Sequence, residues 1–371
     1  MLNQDKLKQI EQWTNDHHYD FTYISDPKNI EYLTGYYTDP HERIFALIVF
    51  PDHDPLIFAP QLEVEDIQKS GWSFDVDGYL DHQNPWRMIA KDVEQRVHEP
   101  HHAALEKSSM QFPVHNFEAL AGALSHVTFD GDVSNLLEQM RLIKTPEELK
   151  ELAAAGKEAD FAMRTGWHSV KPGVSETKIA ADLQYALMKR GVMEMSFGTL
   201  VQAGKHASEP HSVAGNNKVG NDELVLFDLG TMHNGYASDT SRTVAVGHPD
   251  DKKLDIYKTV QAAQLKAMDF CKPGITAEEL DHCARKVIDD AGYGKYFIHR
   301  LGHGIGLGTH EYPSIMQGNK MVLKPGMCFS IEPGIYVPGV AGVRIEDCVH
   351  VTENGCEPFT HNTKDLTYVD K

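Results

Sequence analysis

Five side chains have the types and spacing to hold metal ions. Asp228 lies inside the apolar run LVLFDLG at 224 to 230. A short apolar run bounded by polar residues and Gly reads as a buried strand. Burying an unpaired carboxylate there costs several kcal/mol, so a positive partner is required. Asp239 follows in GYASDTSRT, 11 residues on (239 minus 228), room for a strand, a turn at Asn234 and Gly235, and a return strand. Glu332 in SIEPGIY and Glu346 in GVRIEDCV repeat the arrangement: an apolar strand, a Gly/Pro turn and a second acid-bearing strand. His303 sits in LGHGIGLG. Taken singly, a strand Asp or a His among glycines has an ordinary structural reading. Brought together, four carboxylates would repel and some would stay protonated. Divalent cations remove that objection. Four carboxylates and one imidazole suit Mn²⁺, Co²⁺ or Zn²⁺, and bridging carboxylates can hold two ions about 3.5 to 4 Å apart.

The elements that would position these groups show a faint duplication. VKPGVSETKIAADL from 170 aligns on CKPGITAEELDHCA from 271, with KPG recurring 101 residues later (272 minus 171). Ser175 and Thr276 are expected helix N-caps, the second with a capping box through Glu279. LVLFDLG then aligns on MCFSIEPG, placing Asp228 opposite Glu332 at an offset of 104 and Gly230 opposite Gly334. A unit of about a hundred residues exceeds any solenoid repeat. The expected geometry is two similar halves about a pseudo-two-fold axis, each bringing acidic strands to the shared interface.

At 371 residues the chain is longer than one core usually supports. Residues 1–128 alternate helix-like and strand-like pieces (LKQIEQW, FTYIS, IFALIVF, PLIFAP) and suggest a smaller α/β domain. Residues 129–145 read as a helical linker. From Thr145, Pro146 and Glu148, which make a capping box with Pro at the first helical position, a second domain runs over 146–371. Lys and Arg total 35 against 54 Asp and Glu, a net charge of −19, which opposes binding to nucleic acid or an anionic membrane surface. The polar N-terminus and the shortness of the longest apolar run, IFALIVF, predict a cytoplasmic protein without a membrane span. The five cysteines show no CxxC spacing and read as buried thiols. P-loop, dinucleotide and GxSxG signatures are absent.

LVLFDLG with GYASDTSRT, HRLGHGIGLGTHE, FSIEPGIY and GVRIEDCV together resemble the metallopeptidase family that includes prolidase, aminopeptidase P and methionine aminopeptidase. YLTGYYTDPHERI and YLDHQNPW are similar to the smaller bacterial Xaa-Pro dipeptidases of that family. The resemblance implies an α+β, pita-bread (creatinase/aminopeptidase-like) catalytic domain. It implies metal ligation by Asp228, Asp239, His303, Glu332 and Glu346, with His211, His299, His310 and Arg344 lining the substrate site. Ser212 stands where relatives often have Gly after the histidine. The activity implied is hydrolysis of the bond before proline in Xaa-Pro dipeptides by a hydroxide shared between two divalent ions, Mn²⁺ ahead of Co²⁺ or Zn²⁺. Glu332 would move the proton, and His310 and His299 would donate hydrogen bonds to the carbonyl oxygen. Arg344 would orient a ligating carboxylate or catch the substrate's C-terminal carboxylate. Arg43 in DPHER would screen substrate termini from a neighbouring subunit, in a homodimer. The competing expectations are an aminopeptidase acting on longer peptides, a metal-free creatinase-like hydrolase, and a non-catalytic binding protein of the same fold.

Overall fold

A computed structural model describes residues 4–210 and 212–369. The chain divides into two compact units, Met1–Met140 and Arg141–Lys371. In the first, a six-stranded sheet is built from β1 (Phe21–Ile24), β2 (Ala46–Val49), β3 (Leu56–Pro60), β4 (Asp75–Tyr79), β5 (His102–Leu105) and β6 (Thr128–Asp132), in the order β4-β3-β2-β1-β5-β6. Helix α1 (Gln4–Asp16) leads into the sheet, and α2 (Pro27–Thr34), α3 (Val64–Lys69), α4 (Pro85–Arg96) and α5 (Val114–Ala123) lie in connections between its strands. The central strands β1, β2 and β3 are completely buried and apolar apart from Thr22 in β1, as expected of strands covered on both faces. The stretch 129–145, expected as a helical connector, opens with β6, paired in parallel to β5, before α6 (Ser134–Leu142) begins.

The second unit carries the duplication in its backbone. Two antiparallel sheets, β11-β8-β7 and β13-β12-β14-β17-β18, are accompanied by helix pairs α7 (Pro146–Ser169) with α8 (Glu176–Met188), and α9 (Asp251–Phe270) with α10 (Ala277–Asp290). The strands are β7 (Leu200–Ala203), β8 (Glu223–Leu229), β9 (Met232–His233), β10 (Tyr236–Ala237), β11 (Thr240–Val246), β12 (Gly302–Gly304), β13 (Glu311–Ile315), β14 (Cys328–Ile331), β15 (Gly334–Val337), β16 (Ala341–Arg344), β17 (Asp347–Val351) and β18 (Cys356–Pro358). Both KPG turns place Gly in the left-handed region, Gly173 at φ 86° and Gly274 at φ 92°, where a side chain would be strained. Both then donate to an equivalent carbonyl, Gly173 to Val219 and Gly274 to Leu323. These pairs are offset by 101 (274 minus 173) and 104 (323 minus 219), the offsets found in the sequence motifs. Ser175 and Thr276 cap α8 and α10, and Thr276 and Thr145 each complete a capping box. The unit has the duplicated pita-bread architecture, preceded in the chain by the smaller α/β domain.

The two halves meet where the acidic strands lie. Glu346 N–H donates to Ser241 O at 3.0 Å, and Thr240 Oγ1 donates to Glu346 O at 3.1 Å. Beneath them the buried Arg242 guanidinium donates to the carbonyls of Ser241, Glu346 and Asn362 and to Asp347. A guanidinium is suited to this task because its five donors fan out in a plane and stay charged.

Candidate metal centre

Each of the five expected ligands is delivered by a strand or its immediate end. Asp228 lies on β8, opposite Ser241 in the β8–β11 ladder. Asp239 directly precedes β11, after the β9–β10 hairpin whose turn residues Asn234 and Gly235 have φ of 46° and 83°, a mirror-type turn. His303 is central in β12. Glu332 follows β14, and Glu346 lies between β16 and β17. Gly302 is required here: a Cβ would fall 1.8 Å from Ser330 O, so any side chain would push His303 away from β14.

The five converge. Donor atoms of His303, Glu332 and Glu346 lie within 4.8 Å of one another, and so do those of Asp228, Asp239 and Glu346. His303 Nε2 is 3.2 Å from Glu332 Oε1 and 3.5 Å from Asp239 Oδ2. Its Nδ1 contacts Gly304 O at 3.1 Å, which fixes the proton there and leaves Nε2 facing the carboxylates. Ser330 Oγ accepts from His303 N–H and donates to Glu332 Oε1.

The electrostatics call for cations. Burial and then Asp228 raise the Asp239 pKa to about 7. Burial and then Asp239 raise Glu346 well above the carboxylate range. Burial opposes charge on Glu332 and His303 as well, but His303 lowers Glu332 to about 2 by hydrogen bond and attraction, and Asp239 and Glu332 together raise His303 to about 10. Within the cluster, the buried oxygens Asp239 Oδ1 and Glu346 Oε1 have no hydrogen-bond partner. Orphaned acceptors of this kind are rare in native interiors. Inward-facing oxygens without donors, together with carboxylates that cannot all ionise side by side, fit hard or borderline divalent ions held by this set.

Arg344 is the fixed positive partner of Asp228. Its Nη2 donates to Asp228 Oδ2 at 2.5 Å, its Nε to Ser241 Oγ at 2.8 Å, and its Nη1 to the Tyr336 hydroxyl at 2.7 Å. Ser241 Oγ also lies 2.6 Å from Glu346 Oε2 and 3.1 Å from Asp228 Oδ1. Of the two expectations for Arg344, the geometry is that of a residue that orients carboxylates. Tyr336 and Ser241 were not singled out in the sequence. The available signal was position: Tyr336 lies four residues after Glu332, and Ser241 two after Asp239.

His310 is exposed, its ring edge-on to His303 with centroids 4.0 Å apart. The next residue, Glu311, is held between Arg141 and Lys144 and accepts from Gly308 N–H, which anchors the turn presenting His310. His299 Nδ1 contacts Arg300 O at 2.7 Å and Nε2 contacts the Tyr336 hydroxyl at 3.1 Å. Burial lowers the His299 pKa, so the ring is neutral. Nδ1–H then points at the carbonyl and Nε2 accepts from Tyr336, leaving no N–H to donate to a substrate. Arg43 belongs to the first unit, where it pairs with Asp81 at 2.9 Å and also meets Glu42. His211 lies outside the described residues.

A cavity of about 820 Å³ opens over the cluster, and Phe197, Leu200, Val213 and Ile298 give it an apolar wall. A larger cleft of about 940 Å³, with Lys205, Lys218 and Lys252 on its rim, lies elsewhere in the unit. Lys253 is matched there by Asp250 and His206 by Glu176, and none of the five expected ligands lines this cleft. The chemistry therefore belongs to the smaller cavity.

A duplicated fold that gathers four carboxylates and a histidine along its midline, at the floor of a partly apolar cavity, defines a protein built to hold divalent cations beside a small substrate. The pattern of metallopeptidase family M24 matches residues 150–353, and that of the creatinase/prolidase N-terminal domain matches residues 6–143. The chain is 54% identical over 369 residues to an Xaa-Pro dipeptidase of Lactobacillus helveticus, with 99% of each chain covered. It is 50% identical to an Xaa-Pro dipeptidase of Lactobacillus delbrueckii subsp. lactis, with 98% of each covered. Among solved structures, the prolidase of Pyrococcus horikoshii OT3 superposes with a TM-score of 0.89 at 32% identity, over 98% of this chain and 99% of that one. The chain belongs to metallopeptidase family M24.

Proposed function

We propose that this chain is a dinuclear Xaa-Pro dipeptidase that hydrolyses the peptide bond before proline, works with Mn²⁺, and acts as a cytoplasmic homodimer. The observation that carries the reading is the convergence of Asp228, Asp239, His303, Glu332 and Glu346 at the floor of a partly apolar cavity. Among the described residues no helix is long and apolar enough to cross a membrane. The apolar wall fits a neutral side chain before the scissile bond.

Bound divalent cations would supply the Lewis acidity that makes water nucleophilic near neutral pH and polarises the scissile carbonyl. The protein's own groups do the rest. Glu332, half-buried and facing the cavity, takes the proton of the attacking water and passes it to the leaving proline nitrogen. His310 donates to the carbonyl oxygen as charge develops there. His299 has both ring nitrogens engaged by the protein and serves as a wall and as the far end of the Arg344–Tyr336 chain of hydrogen bonds.

Hydrolysis of Leu-Pro and Arg-Pro-Pro, each with Mn²⁺, Co²⁺ and Zn²⁺ added separately to stripped enzyme, tests the reading. Fast turnover of Leu-Pro, poor turnover of the tripeptide and the highest rate with Mn²⁺ are expected. Preferred cleavage of Arg-Pro-Pro would establish the aminopeptidase reading instead. Full activity without any divalent ion would refute metal dependence.

A further inference from the structure

Two of the five cysteines lie side by side, away from the metal centre. Cys271 caps the C-terminus of α9 and is buried. Cys356 opens β18 at the edge of the five-stranded sheet and is half-buried. Cys356 packs against the buried apolar cluster that contains Cys271. Cys356 Sγ also donates to Met268 O at 3.5 Å, one helical turn before Cys271. The backbones approach as well, since a Cβ on Gly355 would lie 3.8 Å from Cys271 O. Val351 and Cys356 pair across the β17–β18 turn, closed by Thr352 N–H donating to Gly355 O, so Cys356 is held on the rim.

We propose that Cys271 and Cys356 form a reversible dithiol–disulfide site, closed by hydrogen peroxide, that staples the second half of the catalytic unit. The Cys356 thiolate attacks peroxide. An S–O bond forms, the O–O bond breaks, and the departing hydroxide takes up a proton as water, leaving Cys356 as the sulfenic acid. The Cys271 sulfur then attacks the sulfenic sulfur. The S–S bond forms, the S–O bond breaks, and a second water leaves with the thiol proton. Two thiols and one peroxide give one disulfide and two waters.

The order of attack follows from the environments. Cys356 is the more accessible sulfur, and the neighbouring Cys271 thiol lowers its pKa. Thiolate character and access together set susceptibility. Burial raises the thiols of Cys283 and Cys328, which makes them slower targets. The bridge would close a loop of 85 residues (356 minus 271) containing His303, Glu332 and Glu346. Cross-links over long loops restrict the unfolded chain most. Oxidation therefore stabilises the half that supplies three of the five expected ligands, without touching them.

The test is brief treatment of the full-length, metal-loaded protein with a few equivalents of hydrogen peroxide. A mass loss of two hydrogens, a peptide linking Cys271 to Cys356, and a rise in melting temperature of roughly 5 to 10 °C reversed by dithiothreitol are expected. Cys356→Ser should show neither the link nor the rise. Cys271→Ala, which keeps the attacking thiol, should accumulate a sulfenic acid at Cys356 that dimedone traps. Free thiols at both positions after treatment, oxidation at Cys283 ahead of Cys356, or a melting temperature equal to that of treated Cys356→Ser would overturn the proposal.

Discussion

At the scale of single residues, the least replaceable groups around the cluster are those that hold charge in place. Tyr336 accepts from Arg344 Nη1 and donates to His299 Nε2, so one hydroxyl connects the residue orienting Asp228 to the wall of the cavity. Gly334 makes room for it: a Cβ there would stand 2.4 Å from the Tyr336 oxygen. Tyr336→Phe keeps the ring and removes that oxygen. It leaves a buried guanidinium N–H without an acceptor, costing about 1 to 3 kcal/mol, and frees the His299 ring to turn. A fall in kcat of about tenfold or more is expected on Xaa-Pro dipeptides, with metal content by elemental analysis unchanged. A variant with parental kcat would show that the hydroxyl positions nothing the reaction needs.

At the scale of elements, the informative joints are those where a side chain from one strand finishes another element. Glu106, just past β5, accepts from the N–H groups of Ser25 and Asp26 at 2.9 and 2.8 Å and from the Asn29 amide, at the start of α2. Burial and then the nearby Asp26 nevertheless raise its pKa to about 7. The folded state thus binds a proton more tightly than the unfolded chain. The stabilisation from this proton is complete below the ordinary value of about 4.5 and is lost as pH rises through 7. Glu106→Gln keeps an acceptor for both N–H groups and cannot titrate. The stability difference between parent and variant, from urea unfolding at pH 5 and pH 8, should change by about 2 kcal/mol, with the parent losing ground at pH 8. Parallel stabilities at the two pH values would rule this out. The joint also shows what a sequence conceals. The KPG turns, both helix caps and the Asn234–Gly235 hairpin were legible because a few adjacent residues determine them. So were the acidic strands, because a charge in an apolar run is anomalous wherever it occurs. The roles of Ser241, Tyr336 and Glu106 depend on strands far apart in the chain being brought into register, and no local pattern records that. The Cys271–Cys356 contact was invisible for the same reason, the two being 85 residues apart and unremarkable in spacing.

At the scale of the whole molecule, two sources of cation affinity must be separated. A net charge of −19 attracts any divalent ion diffusely, an effect that salt screens within about 8 to 10 Å. The cluster is different: Asp239 and Glu346 are almost wholly buried, and each has an oxygen without a donor. An ion bound there binds the folded chain and not the unfolded one, and stabilises it by about 2.7 kcal/mol at a hundredfold excess over Kd. Stripping the protein with a chelator should lower its melting temperature by several degrees, and adding Mn²⁺ back should restore it at 0.5 M NaCl as fully as at low salt. Asp239→Asn combined with Glu346→Gln retains 52 of the 54 acidic residues (54 minus 2) and so keeps nearly all the diffuse attraction. It replaces two of the donors with neutral amides, and its melting temperature should no longer respond to Mn²⁺. If the double variant responded as the parent does, or if 0.5 M NaCl abolished the parent's response, the cations would be held by the surface and the cluster would have to be a structural polar core.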